Sequence, residues 1–335
     1  MKAIVYPNYG SPDVLKLEEI EKPTARDDEV LIKVRASSVN PIDAGALRHP
    51  LMRRVLSALS KGKINRPGRD VAGQVEAVGR NVTQFKPGDA VFGLCGGAFA
   101  EYVSAPQSVL AMKPDNASFE QAASVPLAGL TALQGLRDKG KIQPGQKVLI
   151  NGAAGGVGTF AVQIAKSFGA EVTGVCSTRN VDMVRSIGAD HVIDYTQEDF
   201  TKSGQHYDLI FDLVANHSFS ARTRVLRPKG VYIGAGIIGL GASMIVLMAH
   251  QITDLVLSPF VSQKFVTLMA KISKEDLDIL GELIKAGKVT PVIDRCCSLS
   301  EVPEAIRYLE QGHARGKVVI TLENNNEIVT PSFLI

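Results

Sequence analysis

Cysteine is scarce in this chain. Its 335 residues include four, Cys95, Cys176, Cys296 and Cys297, and none stands in a CxxC pair. Neighbouring Cys296 and Cys297 are poorly disposed to bridge each other. A disulfide framework is therefore not expected, and a reducing compartment is the default. Long apolar runs are missing too. The best candidate, residues 244–261, is broken by His250, Gln251 and Asp254, so nothing reaches the ~18 residues of a membrane span. The opening MKAIVYPNYG runs toward a strand and holds no apolar leader core. These features together predict a cytoplasmic protein. An excess of one charge is also lacking. Lys and Arg number 37 against 34 Asp and Glu, for a formal net charge of +3. The cations are scattered and make no stripe of the kind a nucleic-acid binder needs. The nearest cluster, residues 48–54 with Lys61, Lys63 and Arg66, reads as a solvated loop.

The length suits roughly two domains of ~100–200 residues each. The 31 glycines exceed the usual share of ~7% and suit a fold with many tight turns. Over the first 120 or so residues, KAIVY, VLIKVRASSV, GQVEAVG and DAVFGL are short Val- and Ile-rich runs. Turn residues such as KPGD at 86–89 separate them, which predicts a small barrel or sandwich. SFEQAASVPLAGLTALQGLRDKG then reads as a helix kinked at Pro126, with Ser118 and Gln121 spaced for a capping box. From Lys147 the rhythm becomes strand, helix, strand: KVLINGA, TFAVQIAKSFG, EVTGVCS, VDMVRSIG, HVIDY, YDLIFDLV and GVYIGAG. That alternation predicts an α/β fold with a doubly wound parallel sheet and right-handed crossovers. From about Val261 a strand (KFVTLMA), two helices (DLDILGELIKAG and VPEAIRYLEQG) and a strand (GKVVITLE) are expected to return to the first unit. The domains expected are therefore residues 1–122, completed by 262–335, around a nucleotide-binding unit at 123–261.

The strongest local signal is the turn between KVLIN and the helix that follows. It passes through Gly152, Ala153, Ala154, Gly155, Gly156, Val157 and Gly158. A strand-to-helix turn without bulky Cβ atoms lets main-chain N–H groups approach a dinucleotide's diphosphate, and the helix N-terminus adds partial positive charge. The spacing is GxxGxxG, and its setting between two strands and a helix gives it weight. At the end of the next strand an NAD site usually carries an acid for the ribose 2′-hydroxyl. Here stand Ser177, Thr178, Arg179 and Asn180. Two hydroxyls and a guanidinium suit a 2′-phosphate, which points to NADPH; Arg179 as a plain surface cation is the alternative.

With these residues in view, the chain resembles the medium-chain dehydrogenase/reductase superfamily, in its zinc-free quinone-oxidoreductase branch. The marks are SSVNPID (37–43), GRDVAGQVEAVG (68–79), FKPGDAVFG (85–93), GGAFAEYV (96–103), LAGLTAL (127–133), NGAAGGVG (151–158), GADHVIDY (188–195) and GHARGKVVI (312–320). They run in order over nearly the whole length. The resemblance implies a GroES-like β-rich catalytic domain interrupted by a Rossmann domain, with the active site in the cleft between them. It places Asn40 at the nicotinamide ribose or amide, Thr131 near the diphosphate or nicotinamide, and Tyr195 at the adenine end. Val214, Ala235, Gly236 and Ile237 would line the cofactor's path, and Lys317 would reach the phosphates. Relatives commonly dimerise by joining Rossmann sheets at an edge, so a homodimer is expected, with GVYIGAG as a candidate edge.

Catalytic zinc needs about three Cys, His or carboxylate ligands and an open position. Where zinc-dependent relatives carry a Cys and a His-Glu pair, this chain has Asp43, Arg69 and Asp70. Their structural zinc takes four clustered cysteines, and only Cys95 lies in that region. No metal is expected, and Asp43 and Asp70 are expected to bond the backbone or Arg69. Without a Lewis acid, simple alcohol oxidation loses its support. What remains is hydride transfer from NADPH to a small electron-poor substrate: a quinone, or alternatively the C=C bond of an α,β-unsaturated carbonyl. A non-catalytic NADPH-binding protein is a third reading. If a side chain donates a proton, His49 is the candidate, standing in RHPL where enoyl-reducing relatives often have a Tyr before Pro; a surface-loop histidine is the alternative. The stripe in residues 51–67 reads either as a lid over the cleft or as core packing.

Overall fold

The computed structural model describes residues 1–8, 10–48, 66–235 and 252–322. Two sheets organise them. A short antiparallel pair, β1 (Lys2–Val5) and β2 (Lys16–Glu19), flanks the first. That sheet is seven-stranded and built from β3 (Glu29–Val39), β4 (Asp70–Val78), β5 (Ala90–Leu94), β6 (Tyr102–Pro106), β7 (Leu110–Met112), β14 (Ile293–Ser298) and β15 (Lys317–Thr321). Its order is β14-β15-β3-β4-β5-β7, with β6 also on β3. Val30, Ile32, Val34, Val71, Val75 and Val91 alternate inward along β3, β4 and β5 and form a closed apolar core. The C-terminal strand β15 pairs with β3, Val318 opposite Val39, and so completes the unit begun by the N-terminal third.

The second sheet is wholly parallel. β8 (Lys147–Asn151), β9 (Glu171–Cys176), β10 (His191–Asp194), β11 (Tyr207–Asp212), β12 (Leu226–Gly234) and β13 (Lys264–Thr267) lie in the order β10-β9-β8-β11-β12-β13. This is the 3-2-1-4-5-6 order of a doubly wound fold, with its switch point between β8 and β11. The central strands β8, β9 and β11 are buried on both faces, as apolar runs such as VLI at 148–150 demand.

The helices are α1 (Pro41–Arg48), α2 (Phe119–Ser124), α3 (Pro126–Gln134), α4 (Gly156–Ser167), α5 (Val181–Ser186), α6 (Phe219–Val225), α7 (Lys274–Lys285) and α8 (Val302–Glu310). Ser118 and Gln121 cap α2 reciprocally, through the Gln121 N–H at 3.2 Å and the Ser118 N–H at 3.0 Å. Pro126 ends that helix and starts α3, because its ring forbids a continuous helical ladder. α7 packs on α3 and β7, and Gln134 binds Asp276 and the Lys271 carbonyl. One apolar cluster, from Ala36 and Phe92 through Leu133 to Phe160 and Phe211, runs across both units.

Two expectations about the sheet change. GVYIGAG becomes β12, which is hydrogen-bonded on both sides and is not an edge. The KFVTLMA strand does not return to the first unit; Val231–Gly234 pairs with Lys264–Thr267, so β13 extends the parallel sheet and is its last strand among the described residues. Among the described residues no helix is long and apolar enough to cross a membrane. The four cysteines are free.

Candidate active site

The C-terminal ends of β8 and β11 meet at the switch point. Asn151 Nδ2 donates to Asp212 Oδ1 (2.9 Å) and to Asn216 Oδ1 (3.2 Å). The same Asp212 oxygen accepts the N–H groups of Val214 and Ala215, both at 2.9 Å, and the other accepts Tyr232 Oη at 2.8 Å. A fully buried carboxylate thus folds the turn after β11 and sets Ala215 at φ 55°. Val214, half exposed, stands beside Gly152: a Cβ on that glycine would come 3.1 Å from its methyl.

Above these ends lies the glycine turn. Gly152 has φ +87°, and both it and Ala153 donate to the Val175 carbonyl. Gly155 caps α4 with no side-chain bond and extended backbone. The N–H groups of the first helical turn, from Gly156 through Gly158, have no carbonyl partner within the helix. Gly158 is a packing requirement, since a Cβ there would stand 2.1 Å from the Gly152 oxygen. Gly155 is different. Among the described residues a Cβ there would meet only the Gly152 oxygen, at 3.5 Å, so nothing in their packing demands glycine. A Cβ on Gly156 would come 3.0 Å from the Lys317 side chain. A bare cradle of main-chain donors, open at Gly155 and closed behind by Gly158, fits an anionic diphosphate.

At the ends of β9 and β10, Ser177, Thr178 and Arg179 follow the first strand, and Tyr195 follows the second with its N–H on the Cys176 carbonyl. Arg179 Nη2 donates to the His313 carbonyl at 2.6 Å, tying this corner to the first unit. Ser177 Oγ accepts Asn180 Nδ2 at 3.1 Å. Thr178 Oγ1 donates to Asp194 Oδ2 at 2.6 Å. Asp194 is a neighbour the sequence reading missed. It ends β10 opposite Cys176, and it was already present in GADHVIDY. Knowing that β9 and β10 are adjacent and end level would have found it.

Between the sheets sits a buried ionic network. Asp70 Oδ2 accepts Ser38 Oγ (2.6 Å) and Asn40 Nδ2 (2.9 Å) and lies 3.4 Å from Lys317 Nζ, while Oδ1 accepts the Leu127 N–H (2.9 Å). Lys317 Nζ donates to Asn40 Oδ1 at 2.7 Å and to the Val39 carbonyl at 3.3 Å. Asp70, Asn40 and Lys317 are all nearly inaccessible. Asn40 and Lys317, expected on the cofactor, have their polar atoms turned inward, because a buried anion at Asp70 demands a cation and donors. Thr131 Oγ1 is likewise spent on the Leu127 carbonyl at 2.7 Å.

The positions where zinc-dependent relatives carry ligands are engaged with the protein's own groups. Asp43 accepts the N–H groups of Asn40 (2.9 Å) and Gly68 (3.2 Å). Burial pushes its carboxyl up to about 6, against those backbone bonds and the nearby Arg69. Burial also pushes the Cys95 thiol up to about 12. Among the described residues no group of three or more His, Cys, Asp or Glu is placed to hold a metal ion.

The structure therefore brings Gly152, Ala154, Gly155, Gly156, Val157, Val214 and Ala235 together at the strand ends, with Ser177, Thr178, Arg179 and Tyr195 beyond β9 and β10. Ala154 contributes its carbonyl to the Gly316 N–H at 2.8 Å, and Ala235 its N–H to the Asp212 carbonyl. Gly236, Ile237 and His49 lie outside the described residues, as do residues 51–65 of the lid segment.

Two family descriptions match the chain: an alcohol dehydrogenase GroES-like domain over residues 26–115 and a zinc-binding dehydrogenase over 187–320. A 2-methylene-furan-3-one reductase of Solanum lycopersicum is 37% identical, over 96% of this chain and 79% of its own. An NADPH-dependent alkenal/one oxidoreductase of Arabidopsis thaliana, chloroplastic, is 36% identical, again over 96% and 79%. Among solved structures, a quinone oxidoreductase from Coxiella burnetii superposes with a TM-score of 0.84 at 32% identity, covering 96% of this chain and 99% of that one.

Proposed function

Because the chain belongs to the medium-chain dehydrogenase/reductase superfamily, in its zinc-free quinone-oxidoreductase branch, we propose that it is an NADPH-dependent reductase that delivers hydride to a small electron-poor substrate without a metal. The observation that carries this is the open cradle at Gly155 over the switch point, beside a network in which Asp43 and Asp70 are already committed to protein donors.

Bound NADPH supplies the hydride, and the protein supplies binding, orientation and dryness. The N–H groups of Gly156 and Val157 hold the diphosphate. Ser177 and Arg179 would hold the 2′-phosphate, and Tyr195 would serve the adenine. Val214 and Ala235 give the path toward the cleft an apolar floor. Asn40 acts as a positioning residue: its bonds to Lys317 and Asp70 tie β3 and β15 together behind the glycine turn. A quinone is the substrate class we favour. Alkenals and enones are the second, supported by what the tomato and Arabidopsis relatives are named for. The same proposal includes a cytoplasmic location, supported by four free cysteines. It also includes a homodimer through β13, beside which Phe260 and Met269 are exposed.

Spectrophotometric NADPH oxidation across quinones, alkenals and cyclic enones, with NADH in parallel, tests the reading. We expect turnover of at least one class, unaffected by chelator. NADPH binding with no turnover on the whole panel would instead identify a non-catalytic nucleotide-binding protein.

A further inference from the structure

The register of the parallel sheet sets Asp194 level with Cys176, so its carboxylate stands beside Ser177–Arg179. Thr178 Oγ1 donates to Asp194 Oδ2 at 2.6 Å. Thr196 gives its N–H (3.0 Å) and hydroxyl (2.8 Å) to Oδ1. A hydroxyl has one proton. Thr178 Oγ1 also lies 2.9 Å from Thr196 Oγ1, a contact in which either hydroxyl can donate; with both protons directed at the Asp194 carboxylate, what Thr178 offers a ligand is a lone pair. A phosphate dianion offers only acceptors and is repelled by it; a ribose hydroxyl can donate to it. Ser177 is wired in the opposite sense. Its oxygen accepts Asn180 Nδ2 at 3.1 Å, which leaves its own proton free to donate outward. Arg179 has one guanidinium nitrogen on the His313 carbonyl and carries the positive charge of the corner. The Thr178 and Thr196 hydroxyls also hold the Asp194 carboxyl below its usual range, so it is charged at neutral pH.

We propose that Asp194 sets the nucleotide preference of this site: it withdraws the Thr178 hydroxyl from a 2′-phosphate and places a negative charge beside it, so the protein accepts NADH as well as NADPH. Ser177 and Arg179 favour the phosphate; Asp194, acting through Thr178, opposes it. The inference rests on the cofactor reading above and deepens it.

Calorimetric titration of the full chain with NADPH and with NADH tests this without turnover. Wild type is expected to bind both, with dissociation constants within about tenfold of each other. Asp194→Asn keeps an oxygen for the Thr196 N–H and removes the charge and the acceptor for Thr178. It is expected to tighten NADPH about tenfold, the scale of one close charge near a protein surface, and to leave NADH within about twofold. Asp194→Ala, which also removes the charge, is expected to shift the ratio the same way and serves if the asparagine variant does not fold. Both nucleotides binding with an unchanged ratio in the variants overturns this inference and leaves the cofactor reading intact. Failure of wild type to bind either nucleotide overturns both.

Discussion

The two glycines of the turn should respond to the same substitution in different ways. At Gly158 a methyl would stand 2.1 Å from the Gly152 oxygen and 2.8 Å from Cα and the carbonyl carbon of Ala153. Carbon settles at ~3.5 Å or more from such neighbours, so α4 and the turn must part by over ~1 Å. All three obstacles are main-chain atoms that cannot rotate aside, which puts Gly158→Ala at about 3 kcal/mol, the upper end of ordinary overpacking. At Gly155 the methyl meets one oxygen at 3.5 Å, and φ −81°, ψ 175° suits alanine. Exchanging glycine for alanine at a helix cap is worth under ~1 kcal/mol, so Gly155→Ala should unfold close to wild type. Its methyl nevertheless fills the opening before the first-turn N–H groups. NADPH affinity should fall by about tenfold or more, the loss of one charge-assisted bond. Urea unfolding gives the first quantity and calorimetric titration the second. A well-folded Gly155→Ala that binds NADPH as wild type does would refute the cradle, and a Gly158→Ala as stable as wild type would refute the packing argument.

Three further outcomes follow from named contacts. Arg179→Asp removes the cation of the adenosine corner and adds an anion, so the NADPH/NADH ratio of kcat/KM should fall by about a hundredfold, two charge changes' worth. Lys317→Met leaves Asp70 buried without its cation and should destabilise the fold by about 3 kcal/mol. Adding Asp70→Asn should recover part of that, read by denaturant unfolding of the single and double variants. For Asp43 the folded-state carboxyl is raised from 3.8 to about 6, so the folded protein holds that proton more tightly. Its contribution is full below pH ~4 and is lost as pH rises through ~6, about 3 kcal/mol in all. The slope of stability against pH over that window should flatten in Asp43→Asn.

Local chemistry made some of the fold legible and distance hid the rest. The capping box at Ser118 and Gln121, the break at Pro126 and the glycine turn each depend on residues within a few positions of one another. Sequence spacing reads them directly. KFVT carries no mark of which sheet its hydrogen bonds will join, so sequence alone does not place β13 beside β12. The strand order that ends β10 beside β9 is likewise tertiary, so Asp194 stayed hidden although its motif was in view. Lys317 and Asn40 lie 277 residues apart, and sequence alone offers each singly to the cofactor. Their pairing across Asp70 appears only when β15 lies against β3, and the need to neutralise a buried carboxylate then decides where both side chains point.

The central claim is that a dinucleotide's diphosphate rests on main-chain amides of the turn after β8. Amide hydrogen exchange across residues 152–158, with and without saturating NADPH, tests it directly. Exchange at Gly156, Val157 and Gly158 is expected to slow with NADPH and to stay unchanged with adenosine, which has no phosphate. NADPH that binds while those amides exchange at their free rate would contradict the claim.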